Sequence, residues 1–166
     1  MTGFDDTTLE QMRSRFERLR SASRRDLYPP PSVRLDRLNR LKSMVLGAQD
    51  EICGAISADF GHRSRHETRL AEIAALEASI KHALRHVRSW MRPDRMPTRI
   101  VYWPGRNRLM AQPLGVCGII APWNYPLQLA LSPAAGAIAA GNVVMLKPSE
   151  ATPRFSALLA NLVERT

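Results

Sequence analysis

The stretch GIIAPWNYPLQLAL, residues 118–131, decides the fold. Its first four residues form a short apolar run, which is typical of a buried strand. The residues from Leu127 onward have the composition of a helix. Between them, Pro122 and Pro126 bracket a tight turn that contains Asn124. The apolar run VVML at 143–146 then predicts a second strand. The segment therefore reads strand, turn, helix, strand.

From residue 115 onward the predicted order is strand, helix, strand, helix. The first helix spans Leu127 to Ala140 and ends at Gly141-Asn142, and Thr152 and Pro153 begin the second as cap and first helical residue. A helix that joins two consecutive strands makes them parallel. The fold class is therefore α/β, with N-terminal helices followed by the first unit of a doubly wound, Rossmann-like parallel sheet. Because two strands do not complete such a sheet, we expect an incomplete domain, the opening segment of a larger enzyme.

Three segments precede or make up this unit: a helical segment at 1–98, an extended, hairpin-like segment at 99–114 and the start of a nucleotide-binding domain at 115–166. In the first segment, helical periodicity predicts one helix through Leu9–Leu19, a longer one from Ser32 to Gly61 and a third over Glu67–Met91. The inner face of the third helix is predicted to carry Leu70, Ile73, Ile80, Leu84 and Val87. RIVYW and RLMAQ flank Pro104-Gly105 and predict an extended pair.

Composition and charge exclude several classes of protein. A hydrophobic content of 45% excludes wholesale disorder. The net charge is +9, from 24 basic and 15 acidic residues, and the basic residues are spread through the chain. A nucleic-acid site would need a concentrated basic stripe with a supporting motif. We therefore expect solvated helix faces and no nucleic-acid partner.

Cysteine usage and hydropathy predict a cytoplasmic protein without a membrane partner. Cys53 and Cys117 are far apart, form no CxxC motif and are expected to be inert core thiols. The N-terminus carries no apolar signal run, and breaks at Ser132-Pro133 and Gly141-Asn142 make the apolar stretch 127–146 a poor membrane span. No metal site is expected, because the four histidines lack acidic or cysteine partners. They are His62, His66, His82 and His86.

Ligands of open parallel sheets bind outside the carboxyl ends of the strands. Two loops leave such ends here, and their polar residues are Asn124 in one and Lys147, Ser149 and Glu150 in the other. On the residues alone, Asn124 is also explained as a turn residue that caps its own backbone, and Glu150 as a solvated residue at a helix start.

The stretch PLGVCGIIAPWNYPLQLALSPAAGAIAAGNVVMLKPSEATP, residues 113–153, resembles the aldehyde dehydrogenase superfamily. The combination of PWNYP, AAGN and KPSE is highly specific. Upstream, SADFGHRSRHETRLAEI at 57–73 is similar to the class-3-like group that contains the coniferyl aldehyde dehydrogenases. The resemblance covers the chain from about Leu35 to its end.

The resemblance implies a small-molecule aldehyde substrate, oxidised to its carboxylic acid through a thiohemiacetal. It implies that Asn124 donates its side-chain amide to the oxyanion. Lys147 and Glu150, with Ser149 beside them, would contact the adenosine ribose of the cofactor, and the Glu150 carboxylate favours NAD over NADP, although NADP is used by some class-3 members. The nicotinamide end of the cleft would be lined by Ile120, Ala121, Pro122 and Trp123.

The family's nucleophilic cysteine, general-base glutamate and glycine-rich cofactor turn have no counterpart in these 166 residues, so we expect the chain alone to be inactive. The full enzyme is expected to be a homodimer. Two alternatives stay open at this point: a truncated, non-catalytic interaction module derived from the same family, and a basic helical nucleic-acid binder.

Overall fold

In the computed structural model, residues 6–166 are described, with side chains from Thr8 onward. Helix α1 spans Asp6–Arg25, α2 spans Pro31–Gly47 and α3 spans Gln49–Phe60. The single long helix predicted from Ser32 is wrong, because the backbone leaves helical geometry at Ala48 (φ −110°, ψ 20°), next to the weak helix former Gly47. The predicted end is confirmed: Gly61 follows α3 with φ +83°, a conformation that favours glycine.

A third helical run contains a π-helical segment. It begins as a short turn, α4 (Arg65–Glu67), passes through π-helix at Thr68–Ala74 and continues as α5 (Ala75–Trp90). Glu72, within the π segment, is fully buried. Leu70, which we placed on the inner face, is instead 76% exposed. The remaining predicted inner residues are buried or half-buried as expected: Ile73, Ile80, Leu84 and Val87.

An antiparallel strand pair exists near the predicted hairpin, but with a different first strand. Strand β1 is Asp94–Met96 and pairs with β2, Asn107–Leu109. The RIVYW stretch forms a 3₁₀ turn at Ile100–Tyr102 instead of a strand. Hydrogen bonds from Asn107 to the Thr98 hydroxyl and to the Pro97 carbonyl hold the returning chain, so β2 pairs upstream of the predicted partner.

The C-terminal third forms the predicted α/β unit. Strand β3 (Val116–Ile120) pairs in parallel with β4 (Val143–Lys147), and α6 (Pro126–Ala139) connects them. Helix α7 (Pro153–Glu164) follows β4. The strands are not buried as predicted: their side chains, including Cys117, are half-buried or exposed, because this sheet has two strands among the described residues.

The hydrophobic core lies between the helices. Its largest fully buried apolar side chains come from α2, α3, α5, α6 and α7: Leu38, Val45, Ile52, Ile56, Leu76, Ile80, Val87, Leu127 and Phe155. Cys53 is buried in this core, as expected. Helix α1 contacts the parallel sheet of β3 and β4, but its Leu9, Met12 and Phe16 side chains remain about two-fifths exposed.

Helix α6 is tied to the N-terminal helices at its carboxyl end. Buried Arg34 of α2 donates from Nη1 to the Ala139 carbonyl (3.1 Å), where a cation is favourable to the helix dipole. Gly141 follows with φ +92°, and a Cβ there would lie 2.7 Å from the Arg34 guanidinium carbon. Glycine is therefore required by both the backbone angle and the close approach. Across residues 6–166, no helix has the length and apolarity needed to cross a membrane.

Candidate active site

The parallel register of β3 and β4 brings two loops to one edge of the sheet. Ile120 is paired with Lys147, so both strands end at the same level. The chain leaves β3 through residues 121–125, here called the asparagine loop, and leaves β4 through residues 147–152, here called the lysine–glutamate loop. The Ala121 amide donates to the Lys147 carbonyl (3.0 Å), which joins the two loops at their bases. This is the edge at which the sequence predicted a ligand site.

The asparagine loop presents its polar residue to solvent. Asn124 is exposed, as is Pro122, whereas Ala121 at the loop base is buried. Trp123 packs on Phe60, with ring centroids 5.9 Å apart, and keeps 56% of its surface exposed. Ile120 is 82% exposed at the end of β3. Of the four residues predicted to line the nicotinamide end of the cleft, Ile120, Pro122 and Trp123 are thus exposed next to Asn124 in the chain, and Ala121 is buried.

A buried carboxylate holds the helix that follows this loop. Glu72, in the π-helical segment, accepts hydrogen bonds at Oε2 from the backbone amides of Leu127 (2.8 Å) and Gln128 (3.2 Å). These are amides of the first turn of α6, which have no partner within the helix. The carboxylate also lies at the positive end of the helix dipole.

The charge state of Glu72 reflects opposing influences. Burial raises the pKa of the Glu72 carboxyl above its ordinary value. The two amide hydrogen bonds and the nearby Arg63 guanidinium oppose that increase, and the neighbouring Glu67 carboxylate adds to it. The pKa remains raised because removing a carboxylate from water is the largest of these effects.

Arg63 connects the turn after α3 to the asparagine loop. Its guanidinium donates from Nη1 to the backbone carbonyl of Asn124 (2.6 Å) and lies 3.5 Å from Oε1 of Glu72. Its guanidinium carbon lies over the rings of Phe60 and Tyr125, at 4.9 and 4.6 Å from their centroids. The side chain of Arg63 is only 5% exposed.

The charged side chains of the lysine–glutamate loop are exposed, in contrast to the buried Arg63 and Glu72 that anchor the asparagine loop. Lys147 donates to the Glu150 carboxylate, and the side chains are 57% and 82% exposed respectively. This hydrogen bond from Lys147 lowers the pKa of the Glu150 carboxyl. Glu150 is therefore an anion at neutral pH, presented to solvent at the edge of the sheet.

Ser149 is built into the turn itself. It is buried, and its hydroxyl oxygen accepts from the Ala151 amide (3.2 Å). Its carbonyl accepts from the hydroxyls of Thr152 and Ser156. Ser149 thus shapes the lysine–glutamate loop, while Lys147 and Glu150 are its outward-facing polar side chains.

The N-terminus of α7 is capped by a residue that the sequence did not suggest. Thr152 makes no side-chain cap hydrogen bond, contrary to expectation. Instead the Asp59 carboxylate, from the last turn of α3, accepts from the amides of Arg154 (3.1 Å) and Phe155 (2.9 Å). Both helices of the α/β unit therefore begin on a carboxylate supplied by the N-terminal helical segment.

One of the missed residues had a signal in the sequence. Glu72 is spaced i, i+4, i+8 with the buried Leu76 and Ile80, so a carboxylate occupies the apolar stripe of its helix. Such a residue needs a polar partner from another segment. Asp59 and Arg63 had no comparable signal, since Asp59 lies in the last turn of α3 and Arg63 in the turn that follows, where charged residues are common.

Two of the four histidines stack on one another on the surface of α5. His82 and His86 stack on α5, with ring centroids 4.1 Å apart, and Trp90 continues the stack. Among the described residues there is no group of three or more His, Cys, Asp or Glu side chains that could hold a metal ion.

Comparison with known proteins assigns a family to this arrangement. The model of the aldehyde dehydrogenase family matches residues 4–166. The coniferyl aldehyde dehydrogenase of Pseudomonas sp. is 46% identical over 157 residues, which are 94% of this chain and 32% of that protein. Aldehyde dehydrogenase family 3 member H1 of Arabidopsis thaliana is 39% identical over 132 residues, covering 80% of this chain and 27% of that protein.

Solved structures show the same fold. The substrate-bound AldH of Staphylococcus aureus superposes with a TM-score of 0.88 at 29% identity, over 93% of this chain and 34% of that one. The glyceraldehyde-3-phosphate dehydrogenase GapN of Methanocaldococcus jannaschii, solved with NADP, gives a TM-score of 0.81 at 23% identity, over 94% and 33%. The chain thus spans about a third of the length of the relatives it matches.

Proposed function

Because the chain belongs to the aldehyde dehydrogenase family, we propose that it supplies the oxyanion donor and the ribose-binding loop of an enzyme that oxidises an aldehyde to a carboxylic acid. The observation that carries the proposal is the pairing of Ile120 with Lys147. It brings the exposed Asn124 amide and the exposed Glu150 carboxylate to one edge of the sheet. Aromatic aldehydes of the coniferyl type are the proposed substrates, on the strength of the 46% identity to the Pseudomonas enzyme.

Asn124 has the chemistry that the reaction requires. When a thiolate adds to the aldehyde carbon, a C–S bond forms and the carbonyl oxygen of the thiohemiacetal becomes an anion. The Asn124 side chain is a neutral amide with two N–H donors, and hydrogen bonds to that oxygen strengthen as its charge develops. The thiolate would come from outside the described residues, since Cys53 is buried in the helical core and Cys117 lies within β3.

The lysine–glutamate loop fits a dinucleotide with free ribose hydroxyls. Glu150 accepts hydrogen bonds and is anionic, and the Lys147 ammonium beside it is a donor. A carboxylate in this position favours a diol and repels a phosphate, so we propose NAD over NADP. When bound, the nicotinamide supplies the hydride acceptor for the oxidation.

Replacing Asn124 by alanine in the intact enzyme tests the proposal. We expect kcat to fall about 100- to 1,000-fold, as is typical when one oxyanion donor is lost. The KM for NAD should stay within about twofold, because the lysine–glutamate loop is untouched. The readout is NADH absorbance with coniferyl aldehyde as substrate.

Gln128→Ala is a matched control, since it also removes a side-chain amide close to the loop. Its side chain lies on α6, beyond the loop, so its kcat should match that of the wild type. A wild-type kcat in Asn124→Ala would remove Asn124 from the oxyanion role.

A further inference from the structure

The buried arginine beside the asparagine loop is unusual for its position. Arg63 lies in the turn between Gly61 and α4, where side chains are ordinarily solvated, yet 95% of its side-chain surface is covered. Two aromatic rings and two carboxylates surround it: Phe60, Tyr125, Glu67 and Glu72. An arginine is costly to bury, and Nε and Nη2 have no hydrogen-bond partner here, so the enclosure indicates a role for the N–H donors of Nη1.

The direction of those donors is set by the surroundings. Contacts with the rings of Phe60 and Tyr125, whose centroids lie 4.9 and 4.6 Å from the guanidinium carbon, restrict the orientation of the guanidinium. Glu67 and Glu72 lie 3.3 and 3.5 Å from its Nη2 and Nη1. Within that frame, Nη1 donates to the carbonyl oxygen of Asn124 at 2.6 Å. A lysine cannot reproduce this plane, because its ammonium is a rotating point charge on a flexible stem.

The carbonyl that Arg63 contacts belongs to the residue that would meet the oxyanion. The loop is fixed at its start by the Ala121 amide on β4 and at its end by the Leu127 amide on Glu72. Between these two points, the Arg63 hydrogen bond holds the Asn124 peptide group. Displacement of the Asn124 backbone would move its side chain relative to the sheet edge, and oxyanion donors act only when they are preorganised.

We propose that Arg63 is a positioning residue that sets the orientation of the Asn124 amide toward the substrate oxygen. This inference rests on the proposed oxyanion role of Asn124. Arg63 acts through the backbone of Asn124 and through Tyr125, and it makes no contact with the reacting atoms. Glu72 contributes twice, by balancing the charge of Arg63 and by fixing the first turn of α6.

A double-mutant cycle in the intact enzyme tests this inference. Arg63→Gln and Arg63→Lys are made alone and in the Asn124→Ala background, and kcat and the KM for NAD are measured for each. We expect Arg63→Gln to lower kcat about 10- to 100-fold, the scale of a misplaced catalytic group, with the KM for NAD within about twofold. In the Asn124→Ala background the same substitution should change kcat by less than about twofold, because the residue it orients is gone.

Two variants separate positioning from a general loss of structure. Arg69→Gln removes a nearby exposed arginine that pairs with Asp50, and should leave kcat unchanged in both backgrounds. Arg63→Lys keeps the charge near Glu72 and should retain the fold, while losing most of the kcat that Arg63→Gln loses. If Arg63→Gln does not fold, the cycle is completed with Arg63→Lys.

The outcomes for the two proposals are distinct. An equal loss of kcat from the Arg63 substitution in both backgrounds, with Asn124→Ala itself impaired, would overturn the positioning role and leave the oxyanion role intact. A wild-type kcat in Asn124→Ala would overturn both. A loss confined to the wild-type background supports Arg63 as the residue that orients Asn124.

Discussion

The two loops at the edge of the sheet are held in opposite ways. The asparagine loop is anchored by buried charges, since Glu72 is fully buried and Arg63 nearly so. The lysine–glutamate loop carries its charges outward, with Lys147 and Glu150 exposed and paired with each other. The helix after the first loop begins on the buried Glu72, and the helix after the second begins on the half-buried Asp59.

The difference matches what each loop would do. A donor that stabilises a developing charge must be fixed before the reaction, which buried hydrogen bonds achieve. A residue that binds a soluble cofactor must be reachable from solvent and must release its ligand after turnover. The same kind of side chain, a glutamate carboxylate, therefore has a raised pKa beside the first loop and a lowered pKa in the second.

The largest expected difference lies in the local stability of the two helix starts. Glu72→Ala removes two amide hydrogen bonds and leaves Arg63 buried with one carboxylate fewer, so we expect a local loss of about 3 kcal/mol. Asp59→Ala removes a partly solvated cap, for which about 1 kcal/mol is typical. Hydrogen exchange of peptides covering residues 126–131 and 153–158 in the intact enzyme measures both, with about 100-fold and fivefold faster exchange expected.

The surface substitution Asp36→Ala serves as the control for both helix starts. Asp36 pairs with Arg40 on the exposed side of α2, so neither peptide should exchange faster. Equal deprotection of the two helices by Glu72→Ala and Asp59→Ala would mean that burial of the carboxylate does not distinguish the loops.

The loops themselves followed from local sequence, whereas their anchors did not. Apolar runs, prolines and the glycine at 141 predicted the strands, helices and turns from residue 115 onward, because each signal is contained in a few neighbouring residues. The parallel register of β3 and β4 followed from the connecting helix. The sequence alone therefore predicts Asn124 and Glu150 at one edge of the sheet.

The anchors depend on contacts across many residues. Glu72 is hydrogen-bonded to Leu127, 55 residues further along the chain, and Asp59 to Phe155, 96 residues further along. No local sequence pattern therefore predicts either pair. The π-helical segment adds a further obstacle at Leu70, which lies within it and is 76% exposed although helical periodicity had predicted it on the inner face. The prediction of a strand at RIVYW was wrong for a related reason. Its β-branched and aromatic residues favour a strand, but Asn107–Leu109 pairs with Asp94–Met96 instead.

Cofactor choice is expected to change through the exposed loop alone. In the proposed role of Glu150, Glu150→Gln would keep an acceptor for ribose hydroxyls and remove the negative charge that would repel a 2′-phosphate. We expect the ratio of kcat/KM for NADP to that for NAD to rise about fivefold, the scale of one charge–charge interaction close to water. The measurement is NADH and NADPH production by the intact enzyme with one aldehyde.

The exposed Glu51 on α3 provides the control, because Glu51→Gln removes the same charge away from the loop and should leave the cofactor ratio unchanged. An unchanged ratio in Glu150→Gln would place cofactor choice elsewhere in the enzyme.

The smallest expected effect is a pH dependence of opposite sign at the two loops. Because the pKa of Glu72 is raised from 4.5 in the folded protein, its contribution to stability is complete below pH 4.5 and is lost as pH rises through the raised pKa. The pKa of Glu150 is lowered from 4.5, so its contribution is present above pH 4.5 and is lost as pH falls through the lowered pKa. Hydrogen exchange of each loop, corrected for the intrinsic rate and compared with Glu72→Gln and Glu150→Gln, measures these slopes. The wild type should lose protection relative to Glu72→Gln with rising pH, and relative to Glu150→Gln with falling pH. Slopes of the same sign would contradict this prediction. They would mean that the Arg63 guanidinium and the helix amides lower the pKa of Glu72 by more than its burial raises it.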